Sequence, residues 1–259
     1  MPALFVGHGS PMNAIEDNEF SREWTRLGRR LPRPRAILCI SAHWETRGIQ
    51  VSAAAQPETI HDFYGFPQAL FDARYAAPGS PALAQRVAAL LGAPPDPQSV
   101  QLDPRRGLDH GAWSVLRLMY PLADIPVVQL SLDSRRSGPA HYALGRRLAA
   151  LREEGVLIVG SGDIIHNLRL FSFQERAAPD WALRFHALSQ RLIENGNHQA
   201  LAEYTALGGD AAYAIPTPEH YLPLLYVLAA QRAGERPAFF NDVVMSALSM
   251  TSFVFGAGA

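Results

Sequence analysis

Three separate stretches of the chain share one design, an apolar run that breaks into small residues and then delivers a histidine. Leu4-Phe5-Val6 runs into Gly7-His8-Gly9-Ser10-Pro11, and Ala36-Ile37-Leu38-Cys39-Ile40 runs into Ser41-Ala42-His43-Trp44. Val156-Leu157-Ile158-Val159 runs into Gly160-Ser161-Gly162-Asp163-Ile164-Ile165-His166-Asn167. A short run that is apolar at every position reads as a strand buried on both faces, the condition of a parallel sheet covered by helices. In open sheets of that kind ligands sit beyond the carboxyl ends of the strands, where these histidines are expected to project. The glycines around His8 permit a tight turn and a close approach to a ligand.

The rest of the chain alternates helical and strand patterns. Helices are expected from Asp17 to Leu31, with Phe20, Trp24 and Leu27 at helical spacing, and from a Ser80-Pro81 start to Gly92, with Leu83, Val87, Leu90 and Leu91 as the apolar stripe. Others follow the stretch Gly107 to Trp113, running through Met119, and span Ser137 to Glu154, stopped by Gly155. A further one covers Asp180 to Asn195, with Trp181, Phe185, Leu188 and Leu192 on its apolar face. Additional strands are read at Ile49 to Ala53, Val100 to Leu102 and Ile125 to Leu132, with one or two closing strands between Val243 and Phe255. A proline-rich connection spans Pro94 to Pro104. With neither an internal repeat nor a Gly/Ser linker, the pattern predicts one α/β domain over residues 1–259, with a central mixed, largely parallel sheet flanked by helices.

Composition removes several function classes. All 23 basic residues are arginine, so a Schiff-base lysine, a P-loop lysine and a lysine general base are excluded. A formal net charge of −1 offers no electrostatic grip on nucleic acid or an anionic membrane. The single cysteine, Cys39, lies inside an apolar strand and reads as a small buried hydrophobe, with no intramolecular disulfide or thiolate cluster available. No run approaches the ~20 apolar residues of a membrane span, and no signal-peptide pattern opens the chain, so a soluble cytoplasmic protein is expected. Nothing resembles a coiled-coil seam, which leaves a monomer or a small homo-oligomer.

The nine histidines are the unusual resource. A fourth candidate, His220, follows Pro216-Thr217-Pro218-Glu219 and precedes an apolar helix from Tyr221 to about Gln231, with Pro223 in its first turn. A single strand-end histidine is ordinarily a hydrogen-bonded structural group, but several delivered to one end of a sheet suggest a metal. Neutral imidazole is the commonest metal ligand, and three of them leave positions open for substrate or water. No HExxH, CxxC or EF-hand pattern is present. Ser10 lacks a nucleophile elbow, and Gly160-Ser161-Gly162 is a poor phosphate loop. Asp163 is expected to bond backbone within its turn. His141, His186 and His198 are expected to be solvated and without partners, and Arg105, Arg106 and Arg169 to be surface arginines rather than contacts for a substrate carboxylate. His61, Trp44 and Tyr221 are candidate substrate contacts; for Trp44, Phe63, Tyr64, Phe66 and Tyr221, pocket wall and core packing are equally open.

Six motifs occur in order: Gly7-His8-Gly9-Ser10-Pro11-Met12, Ser41-Ala42-His43-Trp44, Ile60-His61-Asp62-Phe63, Asp109-His110-Gly111, His166-Asn167-Leu168, and Pro216-Thr217-Pro218-Glu219-His220-Tyr221-Leu222-Pro223. With them the chain resembles the class III extradiol ring-cleavage dioxygenases of the 4,5-DOPA dioxygenase type. The resemblance implies a non-haem metal, Fe(II) for ring cleavage with Zn(II) as the other metal such a site holds. It implies His8, His43 and His220 as ligands, and His166 as an acid/base or a further ligand. His110 would be a second acid/base or hydrogen-bond donor, and Glu219 would support His220 rather than ligate. The substrates implied are a small aromatic diol, a DOPA-like catechol, and O2, giving a ring-opened semialdehyde. Two rivals follow from the residues: a zinc hydrolase using metal-bound hydroxide with His166 as base, and a binding protein that kept the fold.

Overall fold

The computed structural model of the protein describes residues 1–92, 99–172 and 174–257; part of the expected proline-rich connection, residues 94–98, lies outside them. The strands are β1 (Ala3–Gly7), β2 (Ala36–Thr46), β3 (Ile49–Ser52), β4 (Val100–Asp103), β5 (Val127–Asp133), β6 (Val156–Gly162), β7 (Ala238–Phe240), β8 (Val244–Met245), β9 (Leu248–Ser249) and β10 (Ser252–Phe255). Eight of them form one sheet in the order β4-β3-β5-β2-β6-β1-β10-β7, while β8 and β9 make a separate hairpin. The central run β5-β2-β6-β1 is parallel throughout, and antiparallel pairs appear at β3–β5, β1–β10 and β10–β7. A mixed, largely parallel sheet is what the apolar runs require, because side chains alternate and both faces must be covered. Phe5, Leu38, Ile40 and Ile158 enter one core, and Leu4, Ile37, Cys39, Leu157 and Val159 enter the other.

The α-helices are α1 (Glu19–Arg30), α2 (Gln68–Phe71), α3 (Pro81–Leu91), α4 (His110–Met119), α5 (Gly138–Leu148), α6 (Asp180–Glu194), α7 (His198–Ala202), α8 (Gly209–Ala214) and α9 (Leu222–Ala229). Helix α1 begins with a capping box, Asn18 accepting from the Ser21 N–H and Ser21 Oγ accepting from the Asn18 N–H. Helix α9 packs on β6 and β1 and is buried along its whole length, which explains its lack of a polar face. Among the described residues no helix is long and apolar enough to cross a membrane.

Several local expectations are corrected. Strand β2 continues to Thr46, so His43 lies within it rather than beyond its end. The helix expected to reach Glu154 ends at Leu148 and tightens into a 3-10 turn, Ala149–Arg152. That turn buries Arg152, whose guanidinium donates to the carbonyls of Met1 and Ala230 and pairs with Glu235. The closing segment forms β8, β9 and β10 instead of one or two strands, broken at Ser246 with φ 51°, and β7 before it was not anticipated. The buried face of α6 is Ala182, Phe185, Ser189 and Ile193, with Trp181, Leu188 and Leu192 at its half-buried margins.

The three histidines expected to be solvated have partners. His198 Nδ1 bonds the Tyr142 hydroxyl at 3.1 Å, and His186 lies 3.4 Å from Asp242. His141 is fully buried, with Nδ1 2.9 Å from the Tyr226 hydroxyl. Burial lowers the His141 pKa to about 4, below the ordinary histidine value of an unfolded chain. The unfolded state therefore takes up a proton that the native state refuses as pH falls. Native stability should decline from about pH 6.5 towards pH 4 and level off below. In urea titrations across that window, His141→Leu should flatten the decline by up to one proton, about 1.4 kcal/mol per pH unit.

Candidate metal centre

Each histidine of the cluster is delivered by a different backbone device. His8 follows β1 directly, and its N–H donates to the Gly162 carbonyl at 3.1 Å, tying the loop to β6. His43 reaches the same place from inside β2 because the ladder is interrupted there. Ile40 pairs with Leu130 and Glu45 with Leu132, so β2 takes five steps where β5 takes two. The extra residues leave the ladder and carry His43 towards its neighbours. His110 opens α4 behind the cap Asp109, which accepts from the Ala112 N–H. His166 sits in the loop after β6, its N–H bonded to the Ala214 carbonyl.

His220 depends on two glycines. Gly160 and Gly162 share the face of β6 that meets α9, and a side chain on either would strike the carbonyl of Pro223 or His220. Their absence of a Cβ, not phosphate binding, accounts for Gly160-Ser161-Gly162. The Asp163 N–H then donates to the His220 carbonyl at 2.8 Å, fixing the entry to α9 at the end of β6. Ser161, alternating to the opposite face, points its hydroxyl to His8.

Hydrogen bonds settle which ring nitrogens are bare. Ser161 Oγ donates to the Gly111 carbonyl at 2.6 Å, so its 3.0 Å contact with His8 Nδ1 must be one in which the histidine donates. That leaves His8 Nε2 as a lone pair. Glu219 Oε1 lies 3.0 Å from His220 Nδ1 and likewise leaves the far nitrogen bare. Asp62 Oδ1 accepts from the His110 N–H at 3.0 Å and from His110 Nδ1 at 2.9 Å, while Oδ2 lies 3.9 Å from His43 Nδ1. His8 Nε2 and His43 Nε2 are 3.1 Å apart, and ligand atoms of His8, His43 and His220 all lie within 4.8 Å of one another. Around a cation bound at ~2.0–2.1 Å, neighbouring nitrogens stand roughly 3.0–3.4 Å apart, so the donor set fits a metal. His166 stacks on His220 with ring centroids 3.5 Å apart and planes at 6°.

The site keeps its imidazoles neutral. Burial lowers His8 and His220 well below the usual value, reinforced by the other histidines. Burial, then His110, lowers His43 to about 4, and burial brings His166 to about 4 against the opposing field of Glu219. Asp163 bonds backbone outside its own turn, accepting from the Gly9 N–H across the site, and its other oxygen has no partner. Burial raises its carboxyl well above the ordinary range, and a buried polar atom left unpaired costs about 1–3 kcal/mol.

Among the residues singled out from sequence, His8, His43, His110, His166 and His220 converge, whereas the three named as substrate contacts lie differently. Tyr221 is buried in the core, donating its hydroxyl to the Leu201 carbonyl at 2.9 Å. Trp44 is buried beneath Arg106, whose guanidinium carbon stands 4.9 Å from the ring centroid. His61 contacts the Ala73 carbonyl and Arg74. Of the other aromatics, Tyr64 is 92% exposed, while Phe63 packs edge-on to His110. Arg106 is not a surface arginine, since it bonds buried Asp109 and the His43 carbonyl. Sequence reasoning missed Ser161 as the partner of His8; of the pair His61 and Asp62, which it left open between orienting a ligand and a loop hydrogen bond, Asp62 bonds His110 and His61 makes the loop contact.

The sequence pattern of a family described as the catalytic LigB subunit of aromatic ring-opening dioxygenase matches residues 2–255. An Escherichia coli (strain K12) protein named 4,5-DOPA dioxygenase extradiol is 50% identical, over 99% of this chain and 95% of its own length. A Beta vulgaris protein of the same name is 43% identical, over 90% of this chain and 87% of its own. The crystal structure of an uncharacterized Escherichia coli K12 protein superimposes with a TM-score of 0.82 at 43% identity, covering 99% of this chain and 100% of that one.

The glycine device gives a direct check on the geometry. Gly162→Ala should push the His220 carbonyl away, costing about 1–3 kcal/mol of stability, and should weaken metal uptake at the same time. Thermal unfolding and equilibrium dialysis against Zn(II) measure the two effects.

Proposed function

The chain belongs to the family of the catalytic LigB subunit of aromatic ring-opening dioxygenase, and on that premise we propose that residues 1–259 act as one catalytic domain that opens the ring of a small, DOPA-like catechol with O2. It is an extradiol dioxygenase with a non-haem metal, acting on an aromatic diol. The finer reading is that both oxygen atoms enter the product, a semialdehyde. One observation carries it: His8, His43 and His220 gather their ligand atoms within 4.8 Å, with the outer nitrogens of His8 and His220 already committed.

In this reading His8, His43 and His220 hold the metal, Fe(II) for turnover, while Zn(II) fits the same donors without the redox chemistry. Bound by these residues, Fe(II) would supply Lewis acidity and a route for electrons between the diol and O2. The protein's own groups handle protons. His166, neutral and stacked on His220, is placed to accept a proton from the diol as it binds and to return it later in the cycle. His110 keeps Nδ1–H on Asp62 and so offers Nε2 for a second transfer. Phe63, edge-on to His110, supplies an apolar wall beside it. Family membership counts against the zinc-hydroxide hydrolase and the binding protein, and no further observation favours either.

Anaerobic reconstitution with Fe(II), followed by oxygen uptake and visible absorbance with DOPA and simple catechols, tests the proposal against a Zn(II)-loaded control. Oxygen consumption with a yellow product in the iron sample alone is expected. Silence across the panel despite stoichiometric iron would sink it. His8→Ala should lose the metal, whereas His166→Gln should keep it and lose about 10²–10⁴-fold in kcat.

A further inference from the structure

Buried carboxylates in this protein are saturated with donors, with one exception among the described residues. Asp109 receives Ser41 and the Ala112 N–H on Oδ1, and Arg106 and Gln129 on Oδ2. Asp133 receives the Gly48 N–H and Arg135 on Oδ1, and Arg136 on Oδ2. Asp163, fully buried, has the Gly9 N–H on Oδ1 at 3.2 Å and nothing on Oδ2. The unpaired oxygen is aimed into the histidine cluster. It stands 3.7 Å from His8 Nε2, and Asp163, His166 and His220 have ligand atoms within 4.8 Å of one another.

A hydrogen bond does not explain this arrangement. His8 Nε2 carries no proton, because Nδ1–H is spent on Ser161, and 3.7 Å is too long in any case. As a carboxylate, Asp163 would set a second acceptor against the bare nitrogen of His8 in a buried site. A cation between them removes the conflict, since both become donors to it. Resting on the reading of the cluster as a metal centre, we propose that Asp163 Oδ2 is an anionic donor of that centre, so that the cation is held by imidazoles and one carboxylate. The Gly9 N–H on Oδ1 orients the group, as hydrogen bonds to ligating carboxylates do elsewhere.

Asp163→Asn retains an oxygen for the Gly9 N–H and the side-chain shape but removes the charge. Competition with a chromogenic chelator measures the affinity of the metal-free protein for Zn(II) and, anaerobically, for Fe(II). The variant should bind both metals at least ~10–100-fold more weakly than the wild type, with its metal-free thermal midpoint not lowered. Affinity within twofold of wild type would overturn the assignment and leave the metal centre itself standing. Failure of the wild type to take up stoichiometric metal would instead overturn the functional reading and this inference together. Should the variant not fold, crystals of Zn(II)-loaded wild type decide the matter directly. The carboxylate oxygen is expected about 2.0–2.2 Å from the ion, and a separation beyond about 3.5 Å refutes the inference.

Discussion

The site rests on a backbone-to-backbone contact. At the end of β6 the chain has no Cβ at Gly162, and the His220 carbonyl occupies that space while accepting from the Asp163 N–H. This contact seats the start of α9 against the strand ends, and the opposite face of the same strand presents Ser161 to His8. One seven-residue strand therefore fixes two histidines brought together from sequence positions 8 and 220. The bulged passage of β2 adds His43 from the neighbouring ladder. Close packing makes such a geometry stiff, because neither glycine face has spare volume to yield.

Burial gives the cluster its chemical character. Desolvation keeps His8 and His220 uncharged, and outer partners hold one ring nitrogen of each histidine: Ser161 for His8, Glu219 for His220, Asp62 for His110. Without a cation, the Asp163 oxygen is left without a hydrogen-bond partner beside the bare nitrogen of His8. The native fold is thus built around electron-rich atoms whose mutual opposition a divalent ion resolves, and ion binding should add to folding stability.

Much of this was legible in the sequence because the decisive signals were local. Uninterrupted apolar runs at Leu4, Ala36 and Val156 can only be satisfied between two helical layers, so the parallel centre of the sheet followed from burial alone. His8, His43, His166 and His220 were legible too, through the strand ends and the Pro218–Pro223 helix start, while His110 came only with the family resemblance. What escaped depends on three-dimensional competition. His43 looked like a post-strand residue because register breaks leave no composition signature. Tyr221 and Trp44 could be wall or core on hydrophobicity alone, and packing against Tyr204 and Arg106 decided it. His141 seemed solvated on a helix pattern, yet Tyr226, distant in sequence, supplies its partner. Asp62 and Ser161 act through hydrogen bonds to residues 48 and 153 positions away, which spacing does not encode.

The strand that delivers His8 has no neighbour that is close in sequence. β1 lies between β6 and β10, with Ala3 aligned to Ile158 on one side and to Phe255 on the other. Neither pairing is local, so this apolar strand stays unpaired until segments distant in sequence reach it. Topology of this kind closes large loops before it yields contacts, and it exposes an unpaired edge in the interval. The histidine cluster is therefore a late product of folding, since His8 takes its place only once β6 and β10 flank β1.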